Sequence, residues 1–253
     1  MAYELRFCRV QRALSGQDLA KILNCARSSV SRLETGEAKL DEKQAVVLDK
    51  AWDTGGRFSL MLWYARLGHH PDWLKQYLDI EATASVIKIY EAIVVPGLLQ
   101  LPEYAHALLA SGGVPDVDAA VERRMARQAI LDQDPAPLLW ILLSEGVLDW
   151  PIGGQEVMRR QLARLLEAAE MPNIGIRVVP RSAGAHAGAD GSFMIMTGEY
   201  GDIAYTESPG GGRLVPSAVE VRSYQTRYDR IGQHALPERA SRDLIKQFME
   251  AMR

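Results

Sequence analysis

Over residues 15–36 two helical patterns stand almost end to end, and this spacing limits the fold more than any other feature of the chain. "SGQD", residues 15–18, offers a helix amino-terminal cap, with Asp18 where a capping box prefers Glu or Gln. Leu19, Ala20 and Leu23 follow at helical spacing. Asn24 is then the residue type, after glycine, that best tolerates a left-handed backbone. A second helix is expected over about 26–34, ending at Thr35-Gly36. Two helices joined this tightly must cross steeply. The crossing needs a small residue, a turn residue that accepts positive φ, and an apolar inner edge; Ala20, Asn24, Val30 and Leu33 supply these in order. The outer face then carries Arg27, Ser28, Ser29 and Arg32. Such a face can enter a major groove with its amino-terminal residues nearest the bases. An arginine fork there bridges guanine O6 and N7, worth ~1–3 kcal/mol of discrimination, whereas serine addresses several bases or a phosphate.

The string "LSGQDLAKILNCARSSVSRLETGEAKL" resembles the helix-turn-helix of the phage-repressor, or xenobiotic-response-element, class, over about residues 5–52. The resemblance implies base contacts from Arg27, Ser28 and Arg32 and a backbone contact from Lys39. Ser15 and Gln17 are further candidates for the DNA backbone. The chain departs from the family at Ala13 and Asn24, where glycine is frequent, and at Gly16, where a phosphate-binding glutamine is usual. Gln17 stands one place after that position.

Charge divides the chain. Residues 1–70 hold 11 Lys and Arg against 8 Asp and Glu, an excess of +3; the whole chain is −3, which leaves −6 for the rest. A basic front and an acidic back point to different partners. The apolar runs, such as "IVVPGLL" from Ile93, fall far short of the ~18 residues that span a bilayer. "MAYELRFCRV" carries charges where a secretory signal has its apolar stretch, so a cytoplasmic protein is expected. Cys8 and Cys25 read as small core hydrophobes in a reducing compartment.

Further helices are expected from Asp41, bearing Val46, Val47, Ala51 and Trp52, and in "RFSLMLWYARLG" before the junction "HHPDW" at 69–73. This sets a helical domain at 1–68 and a second domain at 69–253. In the second, helices are expected at about 102–110, 116–132, 155–170, 217–233 and 238–252. "PLLWILL", "IGIRVVP", "SFMIMTG" and "DIAYTE" read as strands. The expected fold class is mainly α, with an α+β second domain built on a small, mostly antiparallel sheet flanked by helices.

"YEAIVVPGLLQLPEYAHALL", "PIGGQEVMRRQLARLLEAAEMPNIGIRVVP" and "SAGAHAGADGSF" resemble the domain of unknown function that follows the helix-turn-helix in WhiJ-like regulators of actinomycetes. That resemblance implies a transcription regulator, often encoded beside a small protein, in pairs likened to antitoxin–toxin systems. It brings no catalytic residues. "GADGSF" places glycines near Ser192 and His186, but not as the G-x-S-x-G elbow of hydrolases; a tight turn explains it. "HHPDW" lacks the spaced ligands of a metal site, and Gly210-Gly211-Gly212 lacks the Lys-Ser/Thr of a phosphate loop and reads as a flexible turn. Glu145 at a strand end suits a cleft or, better, surface solvation or a helix cap. Arg123, Arg124 and Arg127 suit an acidic surface or, better, salt bridges to nearby acids. Trp73, Tyr77, Tyr90, Trp140 and Trp150 suit a pocket or plain core packing.

The resulting expectation is a non-enzymatic, sequence-specific regulator without cofactor or metal, a homodimer on a palindromic double-stranded operator. Its second domain would sense a small-molecule effector or a protein partner. The alternative is an antitoxin-like module that binds a small neighbour-encoded protein and uses DNA binding for autoregulation.

Overall fold

The computed structural model of the protein describes residues 1–66, 73–199, 201–207 and 212–252. The chain divides into two compact units, Met1–Pro71 and Asp72–Arg253.

Among the described residues the first unit holds five helices: α1 (Ala2–Gln11), α2 (Gly16–Ile22), α3 (Arg27–Thr35), α4 (Glu42–Trp52) and α5 (Arg57–Arg66). Leu5, Leu19, Ala20, Val30, Leu33, Leu48 and Phe58 are buried together at its centre. The start of α2 is fixed by a reciprocal capping box. The Asp18 amide donates to Ser15 Oγ at 3.2 Å, and the Ser15 amide donates to Asp18 Oδ2 at 2.9 Å. A second box, Asp41 with Gln44, opens α4. Ala45, Leu48 and Trp52 of that helix point inward, while Val46 and Val47 are exposed. The carboxylate of Asp49 accepts the amides of Phe58 and Ser59, both at 2.8 Å, and ties the opening of α5 to α4. Burial opposes the Asp49 charge, but the Thr54 and Ser59 hydroxyls and those two amides outweigh it and hold the carboxyl below its ordinary range. Cys8 is buried, as expected; Cys25 is half-buried at the edge of the core.

The second unit is an α+β fold around a six-stranded mixed sheet. Its strands are β1 (Val86–Glu91), β2 (Leu138–Ser144), β3 (Ile174–Val179), β4 (Phe193–Gly198), β5 (Gly201–Thr206) and β6 (Arg213–Val215), in spatial order β3-β2-β1-β4-β5-β6. Three pairings are antiparallel, but β1–β2 and β2–β3 are parallel, so the sheet is larger and more mixed than expected. The parallel half arises because long helical crossovers, not hairpins, join these strands. The first crossover contains α7 (Pro102–Ser111) and α8 (Val117–Ala126); the second contains α9 (Gly146–Asp149) and α10 (Gln155–Ala168). α6 (Trp73–Ala82), α11 (Ala218–His234) and α12 (Glu238–Ala251) complete the unit.

Neither β1 nor β6 was among the expected strands. Alternation along β1 sends Tyr90 into the cluster with Phe193, Tyr228 and Ile231 of α11. It sends Ile87, Ile89 and then Glu91 to the opposite face. An acid therefore occupies a position in register with the apolar face of a central strand.

Candidate nucleic-acid interface and a charged cavity

The turn between α2 and α3 depends on Asn24. Its φ is +48°, and the next amide, that of Cys25, donates back to the Ala20 carbonyl at 2.9 Å. Ala20 is buried where the chain doubles back, and Val30 and Leu33 are buried on the inner edge of α3. This places Arg27, Ser28 and Arg32 in solvent, with Ser29 half-buried beside them. Among the described residues, neither the Arg27 nor the Arg32 guanidinium is recorded in an ion pair or a side-chain hydrogen bond. No side chain caps α3, whose N-cap residue is Ala26. The Ser29 amide donates to the Ala26 carbonyl at 2.9 Å, which leaves the amides of Arg27 and Ser28 without a side-chain cap, an arrangement that suits an anion. Gln17 and Lys39 are exposed as well. The Ser15 hydroxyl is committed to the cap, donating to Asp18 Oδ2 at 2.6 Å.

Ala13 also has a left-handed backbone, with φ of +52°. The two positions at which the resembled family often has glycine are thus two positions at which this chain bends through the region glycine favours. Arg9 fixes the back of α3. Its Nε donates to Glu34 Oε1 at 2.6 Å, its Nη2 to Glu34 Oε2 at 2.9 Å, and its Nη1 to the Leu14 carbonyl at 2.8 Å.

In the second unit a cavity of about 120 Å³ lies at the carboxyl end of β1, beside the start of β4. This is where the parallel half of the sheet meets the antiparallel half, a place where α/β sheets tend to bind ligands. One wall is the segment "VPGLLQ", held on several sides. The Val95 amide donates to Tyr104 Oη at 3.1 Å. Gln100 Nε2 donates to the Val95 carbonyl at 2.7 Å, and Gln128 Nε2 to the Gln100 carbonyl at 2.7 Å. Gln161, fully buried on the apolar side of α10, donates to the Leu99 carbonyl and accepts from the Leu101 amide.

A family model described as a domain of unknown function (DUF5753) matches residues 74–247. The chain belongs to the DUF5753 family. Comparison with curated proteins and with solved structures returned no match.

The floor of the DUF5753 cavity is ionic. Glu81, 2% exposed, accepts from Arg127 Nε at 2.7 Å and Arg127 Nη2 at 2.7 Å, and also from the Tyr77 hydroxyl. Burial acts against the Arg127 charge, but the Glu81 carboxylate prevails and raises the guanidinium above its ordinary range. Arg124 donates from Nη1 to Gln100 Oε1 at 2.9 Å. Its burial lowers its affinity for the proton, and Arg127 adds to that. Glu91 lines the same space, and its Oε2 is shielded from solvent without a hydrogen-bond partner. Burial pushes the Glu91 carboxyl up to about 8, against the pull of the Ser192 hydroxyl.

The remaining candidate residues of the DUF5753 domain go to separate tasks. Ser192 Oγ accepts the Ala92 amide at 3.0 Å at the cavity, His186 Nδ1 accepts the Gly188 amide at 3.1 Å, and Glu145 accepts the Arg181 amide at 2.8 Å. Among the described residues no recorded hydrogen bond joins Ser192, His186 and Glu145. Gly188 is required where it stands, because a Cβ there would come within 2.3 Å of the Tyr90 ring. Gly212, read from sequence as part of a flexible turn, packs against Tyr205 instead, and a Cβ there would meet that ring. Of the aromatic candidates among the described residues only Tyr77 lines the cavity; Tyr90 is core, and Trp140 and Trp150 are about half exposed. The histidine pair of "HHPDW", the Trp73 side chain and Gly210-Gly211 lie outside the described residues. Among the described residues no group of three or more His, Cys, Asp or Glu is placed to hold a metal, and no helix is long and apolar enough to cross a membrane.

Glu91, Glu81, Gln100 and Gln161 escaped the sequence reading. Each had a signal: two polar residues in otherwise apolar periodic patterns, one at the end of "VPGLLQ", and one in a helix that was not expected.

Proposed function

We propose that the protein is a sequence-specific DNA-binding transcription regulator whose first unit is a helix-turn-helix domain. The observation that carries this reading is α3 itself. Arg27 and Arg32 stand exposed on its outer face, beside an uncapped amino terminus, while Val30 and Leu33 anchor its inner edge. That is the disposition a recognition helix needs to set guanidinium forks against base edges. Ser28 and Ser29 add polar contacts to bases, and Lys39, Gln17 and the amino-terminal turn of α2 at Ser15 face the phosphates. Tyr3, Phe7 and Val10 form an exposed apolar stripe along α1, with the first two rings stacked at 6.3 Å, which supports association of two copies on a palindromic operator. The free thiols of Cys8 and Cys25 suit the cytoplasm. In this reading the DUF5753 domain is the effector domain. A ligand regulates only if it binds two arrangements of the protein with different affinity.

The test is selection of DNA from random duplex fragments by the full chain. Enrichment of a motif with two symmetric arms about one duplex turn (~10 bp) apart is expected. Recovery of unenriched fragments at every salt concentration contradicts the reading.

A second reading, compatible with the first, makes the effector a small protein encoded nearby. The acidic balance of the second unit favours it, as do the exposed Leu138 and Trp140, the latter beside an open groove of about 450 Å³. Co-expression with the adjacent reading frame should then give a complex that copurifies, and separate elution at micromolar concentration counts against it.

A further inference from the structure

The cavity at the end of β1 is lined by a guanidinium, Arg124, and a carboxyl, Glu91, that no hydrogen bond joins among the described residues. Arg127 is fully engaged by its buried partner Glu81. Arg124 is not: its recorded hydrogen bond is with a neutral amide oxygen, that of Gln100. The Glu91 carboxyl at the same cavity has the Ser192 hydroxyl as a partner, while its Oε2 is shielded from solvent with no protein donor among the described residues. A buried carboxyl oxygen without a partner costs about 1–3 kcal/mol, and a bound ligand that reaches it removes that cost. Between Arg124 and Glu91 the walls are apolar, from Ile89, Leu98 and Met194, and Glu207 adds a second acid at the same cavity.

We infer that this cavity binds a small zwitterion of the α-amino-acid type, its carboxylate on Arg124 and its ammonium on Glu91. This names a ligand class for the effector domain and therefore deepens the regulatory reading, but the site stands without DNA. Its volume of about 120 Å³ limits the size. A cavity of about 150 Å³ takes benzene, so this one is on the scale of a small amino acid such as glycine, alanine or serine. A simple amine satisfies Glu91 and leaves Arg124 unpaired; a simple carboxylate does the reverse and faces Glu91 with like charge. Only a molecule that presents both charges a few bonds apart answers both groups. The titratable and charged groups facing Glu91 are Arg124 and Arg127 of the α8 region, Tyr77 and Glu81 of α6, Tyr104 of α7, and Tyr205 with Glu207 beside β5.

Calorimetric titration of the full chain near neutral pH with glycine, L-alanine, L-serine and L-valine tests this, with acetate, propionate, methylamine and ethylamine as one-charge controls. At least one amino acid should bind one to one, at least tenfold more tightly than its controls. Glu91→Gln and Arg124→Gln, each checked for a cooperative melt, should weaken it at least tenfold. Because the empty carboxyl holds its proton near neutral pH, binding should also release close to one proton, read from the heat in buffers of different ionisation enthalpy. That release should vanish in Glu91→Gln. The inference is overturned if none of the four amino acids binds at 10 mM, if a one-charge control binds as well, or if Glu91→Gln binds like the wild type. Should a variant not fold, binding to wild type without proton release overturns it. None of these readouts involves DNA, so the failure of one reading is visible separately from the failure of the other.

Discussion

Arg9 grips Glu34 with two parallel hydrogen bonds, at 2.6 and 2.9 Å, and this fork joins α1 to the last turn of α3. Both side chains are largely buried, at 16% and 12% exposure. The Glu34 carboxylate holds the Arg9 proton more firmly than usual despite the cost of burial. The pair sits behind the face that carries Arg27 and Arg32, so it sets the pose of that face.

Arg9→Met should therefore destabilise the first unit by about 2–3 kcal/mol, since it strips Glu34 and the Leu14 carbonyl of their donor. Adding Glu34→Gln should recover part of that loss by removing the stranded charge. Urea unfolding of the two variants and the wild type measures both effects. Equal stability of wild type and Arg9→Met contradicts the clamp.

Ala13→Gly should stabilise the same unit by about 1 kcal/mol, because alanine at a φ of +52° bears a steric cost that glycine escapes. Asn24→Gly should gain less, since asparagine already tolerates the left-handed region. Thermal melts of the two variants give the order. A loss of stability at Ala13 would mean that its backbone is not where the chain places it.

Glu91 gives a pH signature in the second unit. Its carboxyl is raised to about 8 from an ordinary 4.5, so the folded state keeps a proton that the unfolded state sheds. Stability from this group is therefore greatest at low pH and falls as pH rises from about 4.5 through about 8. Glu91→Gln removes that dependence. It should match the wild type near pH 5 and exceed it by about 3 kcal/mol at pH 7, with more at pH 8. Denaturant unfolding of both proteins across that range decides, and two parallel curves contradict the assignment.

What the sequence revealed differed between the units, for physical reasons. In the first, local signals agree with one another. Ser15 and Asp41 cap helices, Asn24 turns the chain, and Val30 and Leu33 repeat at helical spacing, so each element could be read from its own residues. Which apolar residues of α4 turn inward was not legible, because the apolar character of Val46 and Val47 says nothing about which side the next helix covers. In the second unit β1 was missed because Lys88 and Glu91 dilute its apolar alternation, and β6 because it is only three residues long. The parallel pairings depend on which strand each long crossover returns to, and no local pattern records that. The cavity was hidden for the same reason. Glu91, Arg124 and Tyr205 are brought together by sheet order and by the packing of "VPGLLQ", across more than a hundred residues of chain.

The central claim is that two guanidinium groups on α3 read base pairs. The direct measurement is equilibrium binding of the wild type and the Arg27→Ala/Arg32→Ala double variant to the duplex selected by the wild-type chain, with a scrambled duplex as reference. The account predicts a loss of about 2–6 kcal/mol on the selected duplex, little change on the scrambled one, and an unaltered melting temperature. Wild-type affinity and preference in the double variant would contradict it.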